Sequence, residues 1–474
     1  MSTPRLSPRC SLLARFRRSE KGAVAPLIGI VMLVLIGCMG FAIDVGRSVL
    51  VRARLVDALD AAGLAVGARL STTDYSADAL KFVNANFKGG YAGATVTSVT
   101  ATANSTKSVI SLSATATVPT IFMKLFGQKS VTVNAASEVT RSTTGLEVVM
   151  VLDNTYSMEL SNSMPGLKSA ANSLVNILFG DSTTAKNLYV GLVPFSLAVN
   201  IGVSRKAWTD LNTVSRTGYP TYWTGCVEER LNGLDQTDDP PVAGSSTKIF
   251  RAFYAPDSWP GINDNNWMTA GWFGTTYSIN YSNPVDPQGP GRYCPQELTP
   301  MTNVKSKVTS GISKMTAQGG THINVGAVWG WRMLSPKWRG YWDGDMAANS
   351  LPLDYGTKNM SKAMILMTDG ENTMYNDTYT AFGKLSDNRL GTTNDVTVAI
   401  NTLNTRLKTI CNSAKSAGII VYTVAYDNPG VATKSLLQSC ATSVAYYFDA
   451  GNQTALDTAF RTIGDSLSNL RVSK

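Results

Sequence analysis

The sequence predicts an α/β protein: a doubly wound, mostly parallel sheet with a long aromatic insert, preceded by a transmembrane helix and a small α+β region. Three observations predict it. Residues 23–43 run without a single charge. From Leu146 onwards, short apolar runs alternate with amphipathic stretches, which is the strand–helix alternation of an open α/β sheet. Between about 202 and 300 that alternation stops, and Trp208, Trp223, Trp259, Trp267 and Trp272 gather there, five of the nine tryptophans.

The N-terminus is basic. Arg5, Arg9, Arg15, Arg17, Arg18 and Lys21 against Glu20 put +5 in residues 1–22, so the other 452 residues carry only +4 of the total +9. That balance excludes a nucleic-acid-binding body. As a helix at 1.5 Å per residue, residues 23–43 span about 31 Å, the thickness of a bilayer's hydrocarbon core. Basic residues crowd the side before the segment, which places the N-terminus in the cytoplasm and the bulk outside. The apolar stretch is longer than the roughly 7–15 residues of a secretory signal, and no clean A-x-A site follows, so an uncleaved anchor is expected.

The helix is expected to continue to about residue 70. Val45, Val49, Val56, Leu59, Val66 and Leu70 fall on one heptad stripe, with Arg52 and Gly63 as gaps. This face would pack on its own domain, or on another such helix. Residues 74–88 read as a short helix. Thr- and Val-rich strands follow at 95–102, 109–118 and 130–140, with a short helix at 120–126. A long helix followed by a small antiparallel sheet is similar in shape to a pilin.

From 146 the expected strands are 147–153, 188–193, 364–367, 419–425 and 445–448. The expected helices are 167–179, 305–315, 323–333, 396–417, 433–438 and 454–470. The domain plan is therefore a tail (1–22), a membrane helix (23–43), a helix-plus-sheet region (44–145) and an α/β domain (146–474) with its insert. Cys10 and Cys38 lie in the tail and the membrane segment. Four cysteines in an exported region suggest two disulfides, with three possible connectivities. Cys226 with Cys294, both in the insert, and Cys411 with Cys440, flanking a strand, are the preferred pairs.

Composition excludes several enzymes. There is one histidine, His322. A Cys/His zinc cage lacks its ligands, and a Ser-His-Asp triad would have to use His322. No GxxxxGK[ST] loop occurs. No catalytic residue is assigned.

One constellation carries chemistry. A strand ends in Asp153-Asn154-Thr155-Tyr156-Ser157, Gly319-Gly320-Thr321 opens a helix, and a later strand ends in Thr368-Asp369-Gly370. Strand C-termini of an open α/β sheet face one crevice. Two carboxylates and three hydroxyls, from Asp153, Thr155, Ser157, Thr321 and Asp369, would meet there. These hard oxygen donors suit Mg²⁺ or Mn²⁺ in octahedral geometry, with water completing the shell. A partner's carboxylate could be the last ligand. His322 is read as a packing residue. Asp343-Gly344-Asp345 and Asn263-Asp264-Asn265 lack EF-hand spacing and are read as solvated turns. Trp329, Trp331, Trp338 and Trp342 are read as a core cluster.

Asp153-x-Thr155-x-Ser157, Thr321 and Asp369 resemble the metal-ion-dependent adhesion site of von Willebrand factor type A domains. The resemblance covers about 146–201 and 301–474. It implies that Ser157 and Thr321 bind the ion directly, with Asp153 and Asp369 acting directly or through water. Thr155 stands where the family has Ser, and Tyr156 replaces a common Gly and would narrow the site. The tail from Arg17 to Pro26 and the anchor ending Ala42-Ile43-Asp44-Val45-Gly46-Arg47 resemble TadE/TadG-like proteins of Tad (Flp) pilus assembly. The stretch from Thr224 to Arg230 and the Cys411/Cys440 tail are similar to that group as well. The joint resemblance implies a non-enzymatic bacterial envelope protein. It would be anchored once in the inner membrane, with a periplasmic domain that binds protein partners of a pilus assembly. Two alternatives remain: a minor pilin-like subunit, and another membrane-anchored type A protein. Cleavage after Gly22 would put Leu27 fifth, where prepilins usually carry Glu, so a major pilin is not expected.

Overall fold

The computed structural model describes residues 24–67, 74–104, 109–140, 145–160, 162–212, 223–255, 291–391 and 394–472. The readings made above for residues 1–23, Leu70, Trp259, Trp267, Trp272 and Asn263-Asp264-Asn265 fall outside them. The chain divides into two compact units, Met1–Arg141 and Ser142–Lys474.

In the first unit, helix α1 (Val24–Gly67) is a single run of 44 residues. Its first half turns apolar side chains outward all round, Leu27 and Leu33 being 64% and 72% exposed. Among the described residues it is the one helix long and apolar enough to cross a membrane. Beyond Asp44 it becomes one-sided. Val51, Leu55, Ala58, Leu59, Ala62 and Val66 are buried, at the spacings of a helical face.

This corrects the heptad stripe. Val45 and Val49 are exposed and Val56 is only half-buried. A straight helix drifts about 20° per heptad from a strict seven-residue row. The stripe also counted only large side chains, whereas the buried face contains alanines. It tolerates them because the helix lies close to its sheet. A Cβ on Gly63 would sit 2.6 Å from Val139 Cγ2 and 3.2 Å from Leu112 Cδ1.

The sheet under α1 is antiparallel, in the order β1 (Thr95–Ala103), β2 (Val109–Pro119), β3 (Ser130–Thr140). Helix α2 (Tyr75–Asn86) joins the same core, capped by the Asp74 carboxylate on the Ala77 N–H at 2.9 Å. The β2–β3 connection holds a 3₁₀ turn, Met123–Phe126. Asp44 of α1 accepts hydrogen bonds from the backbone N–H groups of Ile121 (2.9 Å), Phe122 (2.8 Å) and Met123 (2.8 Å). Arg47 donates to the carbonyls of Pro119 (3.1 Å) and Ala92 (2.6 Å).

The second unit is a six-stranded sheet between two helical layers. Its strands are β4 (Gly145–Asp153), β5 (Leu188–Phe195), β9 (Thr299–Thr302), β10 (Met360–Thr368), β11 (Ile420–Tyr426) and β12 (Tyr447–Ala450), in spatial order β12-β11-β10-β4-β5-β9. All pairs are parallel except β5–β9. Every residue of β4 is buried, as a central parallel strand requires. Val149 and Val151 face one layer, with α5 (Ile323–Leu334), α6 (Val396–Ser416) and α7 (Val431–Cys440). Leu146, Val148, Met150 and Leu152 face the other, with α3 (Met164–Phe179), α4 (Lys305–Ser313) and α8 (Gln453–Val472).

Within its described parts the insert has strands of its own. Its described parts contribute β7 (Cys226–Glu228) and β8 (Arg251–Ala252), which form a small antiparallel sheet with β6 (Val199–Asn200). Trp208, Trp223, Phe250 and Phe253 join Trp329, Trp338 and Trp342 in the core beside α5. Disulfides join Cys226 to Cys294 and Cys411 to Cys440. Asp343 and Asp345 are not free turn residues. They pair with Arg205 (2.6 Å) and Lys307 (2.7 Å).

Candidate functional site

Strand β4 has β5 on one side and β10 on the other, so the chain reverses its winding direction at β4. The crevice of a doubly wound sheet opens at the strand C-termini there. Asp153 is the last residue of β4, and Asp369 directly follows β10. Ser157 begins the single helical turn Ser157–Leu160, and Thr321 immediately precedes the N-cap of α5.

The three segments are stitched together by backbone. Tyr156 N–H donates to the Gly319 carbonyl (2.9 Å), and Gln318 N–H to the Asn154 carbonyl (2.7 Å). Gly319 has φ +70, and a Cβ there would lie 2.7 Å from Tyr293 Cβ. A Cβ on Gly320 would lie 2.5 Å from Thr373 Oγ1. The glycine pair is therefore what lets this turn approach so closely.

The five oxygen-bearing side chains face one another. Thr155 Oγ1 and Ser157 Oγ are 2.8 Å apart, and Ser157 Oγ donates to Asp369 Oδ1 at 2.6 Å. A Cβ on Gly370 would lie 3.6 Å from Thr321 Oγ1 and 3.7 Å from Ser157 Oγ, so those two hydroxyls border the same spot. Asp153 is fully buried and held by both oxygens, through Thr155 N–H (2.7 Å) and Thr368 Oγ1 (2.6 Å). It thus stands behind Asp369, the more accessible of the two acids.

Charge is uncompensated here. Among the described residues neither acid has a Lys or Arg ion-pair partner, in contrast to Glu147, which pairs with Lys362. Burial, then the charge of Asp153, push the Asp369 carboxyl up to about 8. Burial also raises Asp153, against the hydrogen bonds from Thr155 and Thr368. Two buried acids with nearby hydroxyls and no cation form a donor set that fits a hard divalent ion. Among the described residues no group of three or more His, Cys, Asp or Glu gathers. This set has only two acids and relies on hydroxyls for the rest.

Residues outside the sequence motifs brace the site. Thr373 Oγ1 accepts from Thr321 N–H (2.8 Å), and Thr373 N–H donates to the Thr321 carbonyl (2.8 Å). Asn372 Oδ1 accepts from Ile323 N–H (2.8 Å) at the start of α5. Asn154 Nδ2 reaches Gln296 Oε1 at 2.7 Å, and Gln318 Nε2 bonds the Cys294 carbonyl. The Cys226–Cys294 disulfide therefore fastens the segment under the site. Thr373, Asn372, Gln296 and Gln318 carry no spacing signal in the sequence. His322 is fully buried, donates through Nε2 to the Thr373 carbonyl (3.0 Å), and is pushed down to about 4 by burial. It packs against Phe382, with ring centroids 5.6 Å apart. A cavity of ≈ 500 Å³ adjoins the site, lined by Tyr156, Tyr293, Gln318, Gly319, Gly320 and Tyr375.

Residues 22–69 match the family model described as "Putative Flp pilus-assembly TadE/G-like". No curated protein matches the chain. Among solved structures, the chain is similar to the vWF domain of the type V pili tip protein Mfa5 from Porphyromonas gingivalis. Identity is 13% and the TM-score 0.36, over 70% of this chain and 97% of that one. It is also similar to the pilus adhesin SpaC from Lactobacillus rhamnosus GG, at 12% identity and TM-score 0.35, over 79% of this chain and 34% of that one. A third is proximal thread matrix protein 1 from the mussel byssus, solved with a zinc-occupied MIDAS motif. There identity is 14% and the TM-score 0.32, over 69% of this chain and 49% of that one. The chain thus spans about a third of the SpaC chain and half of the mussel chain.

Proposed function

We propose that the chain is a single-pass envelope protein of a Tad-type pilus assembly, which docks protein partners through a metal-ion-dependent adhesion site. The observation that carries it is the convergence of Asp153, Thr155, Ser157, Thr321 and Asp369 at the switch point of the sheet, in a chain whose N-terminal segment matches a pilus-assembly family. Ser157, Thr321 and Asp369 would hold Mg²⁺ or Mn²⁺, with Thr155 and Asp153 behind them. A bound ion supplies a Lewis-acidic position for a partner's carboxylate. The tyrosine-lined cavity would receive the residues flanking that carboxylate. In this reading α1 crosses the inner membrane with its N-terminus in the cytoplasm, and the second unit lies in the periplasm. In this reading the Ser157 hydroxyl, bonded to Asp369, serves as an ion ligand, and the role is binding.

Titration of Mg²⁺ and Mn²⁺ into the full chain, beside Asp153→Ala, tests it. Saturable binding is expected in the parent, with loss in a variant that keeps its fold by circular dichroism. Equal affinity in both would refute the assignment.

A second reading has one observation in its favour: α1 lies along a three-stranded antiparallel sheet in the first unit, the layout of a pilin-like subunit. N-terminal sequencing of the mature protein tests it. A start at Ala23, together with recovery in sheared fibres, would favour a minor subunit over an anchor.

A further inference from the structure

The connection between β2 and β3 has features that the docking site does not use. Ile121, Leu125 and Phe126 are 54%, 78% and 77% exposed, a large apolar surface for six residues of a folded unit. The connection is also fixed in place. The Asp44 carboxylate takes three of its N–H groups, and Arg47 takes the Pro119 carbonyl. These bonds hold it against α1 at a defined height. A Cβ on Gly40 would meet Phe122 at 2.6 Å, and one on Gly37 would meet Phe126 at 3.7 Å. Phe122, Met123, Phe126, Gly37, Cys38 and Phe41 line one shallow groove of ≈ 320 Å³.

The height decides the partner. Gly37 and Gly40 lie inside the charge-free segment that ends at Ile43. At 1.5 Å per residue, Gly37 is about 9 Å inside that end. Interfacial apolar segments bury to about 5–10 Å at the headgroup–acyl boundary. Phe126 reaches this depth, Leu125 is its neighbour, and Lys124 on the same turn has the length to return its ammonium to the headgroups.

We propose that the turn Ile121–Phe126 is a second membrane-contacting element, a wedge set into the bilayer interface beside the α1 span on the side of the folded units. Its partner is the lipid surface itself, because it continues the lipid-facing surface of α1. The helix thereby acquires a fixed collar, with Asp44 and Arg47 as the clamp between collar and span. The proposal rests on the reading that α1 crosses a membrane.

The test uses the full chain with Cys10 and Cys38 changed to Ser, reconstituted in vesicles of phosphatidylethanolamine and phosphatidylglycerol. One environment-sensitive fluorophore is placed by Leu125→Cys, Leu33→Cys or, at the far end of β2 in the same unit, Ser111→Cys. Nitroxide-labelled lipids, shallow or deep, then serve as quenchers. The expected result is blue-shifted emission at 125 quenched best by the shallow label, at 33 quenched best by the deep label, and no quenching at 111. Quenching at 33 without quenching at 125 overturns the wedge while leaving the span intact. No quenching at either site overturns both. Blue-shifted emission at 125 that lipid quenchers do not touch assigns the turn to a protein partner and overturns the lipid assignment. Asp44→Asn in the Leu125→Cys background gives a second reading: loosening the clamp should reduce the quenching at 125 and leave that at 33 unchanged.

Discussion

At the scale of single residues, the buried charges of the second unit are held by specific partners. Arg332 is fully buried on α5 and donates to both oxygens of Glu229, at 3.0 and 2.9 Å, and Trp329 Nε1 donates to the same carboxylate at 2.8 Å. Removing one member leaves an uncompensated buried charge, which costs about 3–5 kcal/mol. Glu229→Ala should lower the denaturant midpoint accordingly, while Glu159→Ala, on an exposed turn, should not move it. His322 sets a pH dependence. Its folded pKa of about 4 lies below the roughly 6.5 of an unfolded histidine. Between those values the unfolded chain takes up a proton that the folded chain does not. The His322 contribution to stability therefore falls as pH drops through that window, by about 3 kcal/mol over its full extent, while the raised Asp369 carboxyl works in the opposite sense. In urea melts between pH 7 and 4.5 the parent should lose stability relative to His322→Phe as the pH falls; a difference between the two that does not change with pH would refute the His322 contribution. That Asp153, Ser157 and Asp369 come together was legible, because their types and strand-end positions constrain one another. Thr373 and Asn372 were not, because a hydroxyl or amide that braces a backbone looks like any loop residue.

At the scale of elements, long periodic segments were placed well, and of the two edge strands β12 was expected while β9 was missed. The apolar runs of β4 and β10 name their own burial. Strand β9, with Pro300 in the middle, carries no alternation and is a strand only because β5 offers it an edge. The face of α1 was misread because alanines and Gly63 carry no hydrophobic weight, although close packing selects them. Gly63→Val should overpack the contact with Val139 and Leu112 and destabilise the first unit by about 1–3 kcal/mol; a thermal melt of the full chain with a probe in that unit would read it. The disulfides constrain different lengths of chain, with sequence separations of 68 and 29. Cys411→Ser should cost about 2–4 kcal/mol, and Cys226→Ser somewhat more through its longer loop. Mass mapping without reductant that found free thiols at 411 and 440 would refute the first figure.

At the scale of the molecule, the alternation of strand and helix announced the sheet, and the charge-free segment announced the long helix. Of the insert, the Cys226–Cys294 pair was legible, and the packing of its described parts was not. Its order comes from contacts that are distant in sequence, such as Trp208 on Trp338 (ring centroids 5.2 Å apart) and Arg406 on Asp235 (2.6 Å), and local pattern does not encode these. The same distance in sequence marks the site. Ser157 and Asp369 meet although 212 positions separate them. A ribosome delivers the chain from its N-terminus, so the first half of the proposed ligand set stays incomplete until β10 has been made and has paired beside β4. Non-local pairing of this kind is a late event in folding. On the proposed function, ion capture would then act as a clock: it would begin only once β10 has paired beside β4, and a chain caught halfway through synthesis would have no finished face with which to seize a partner too early.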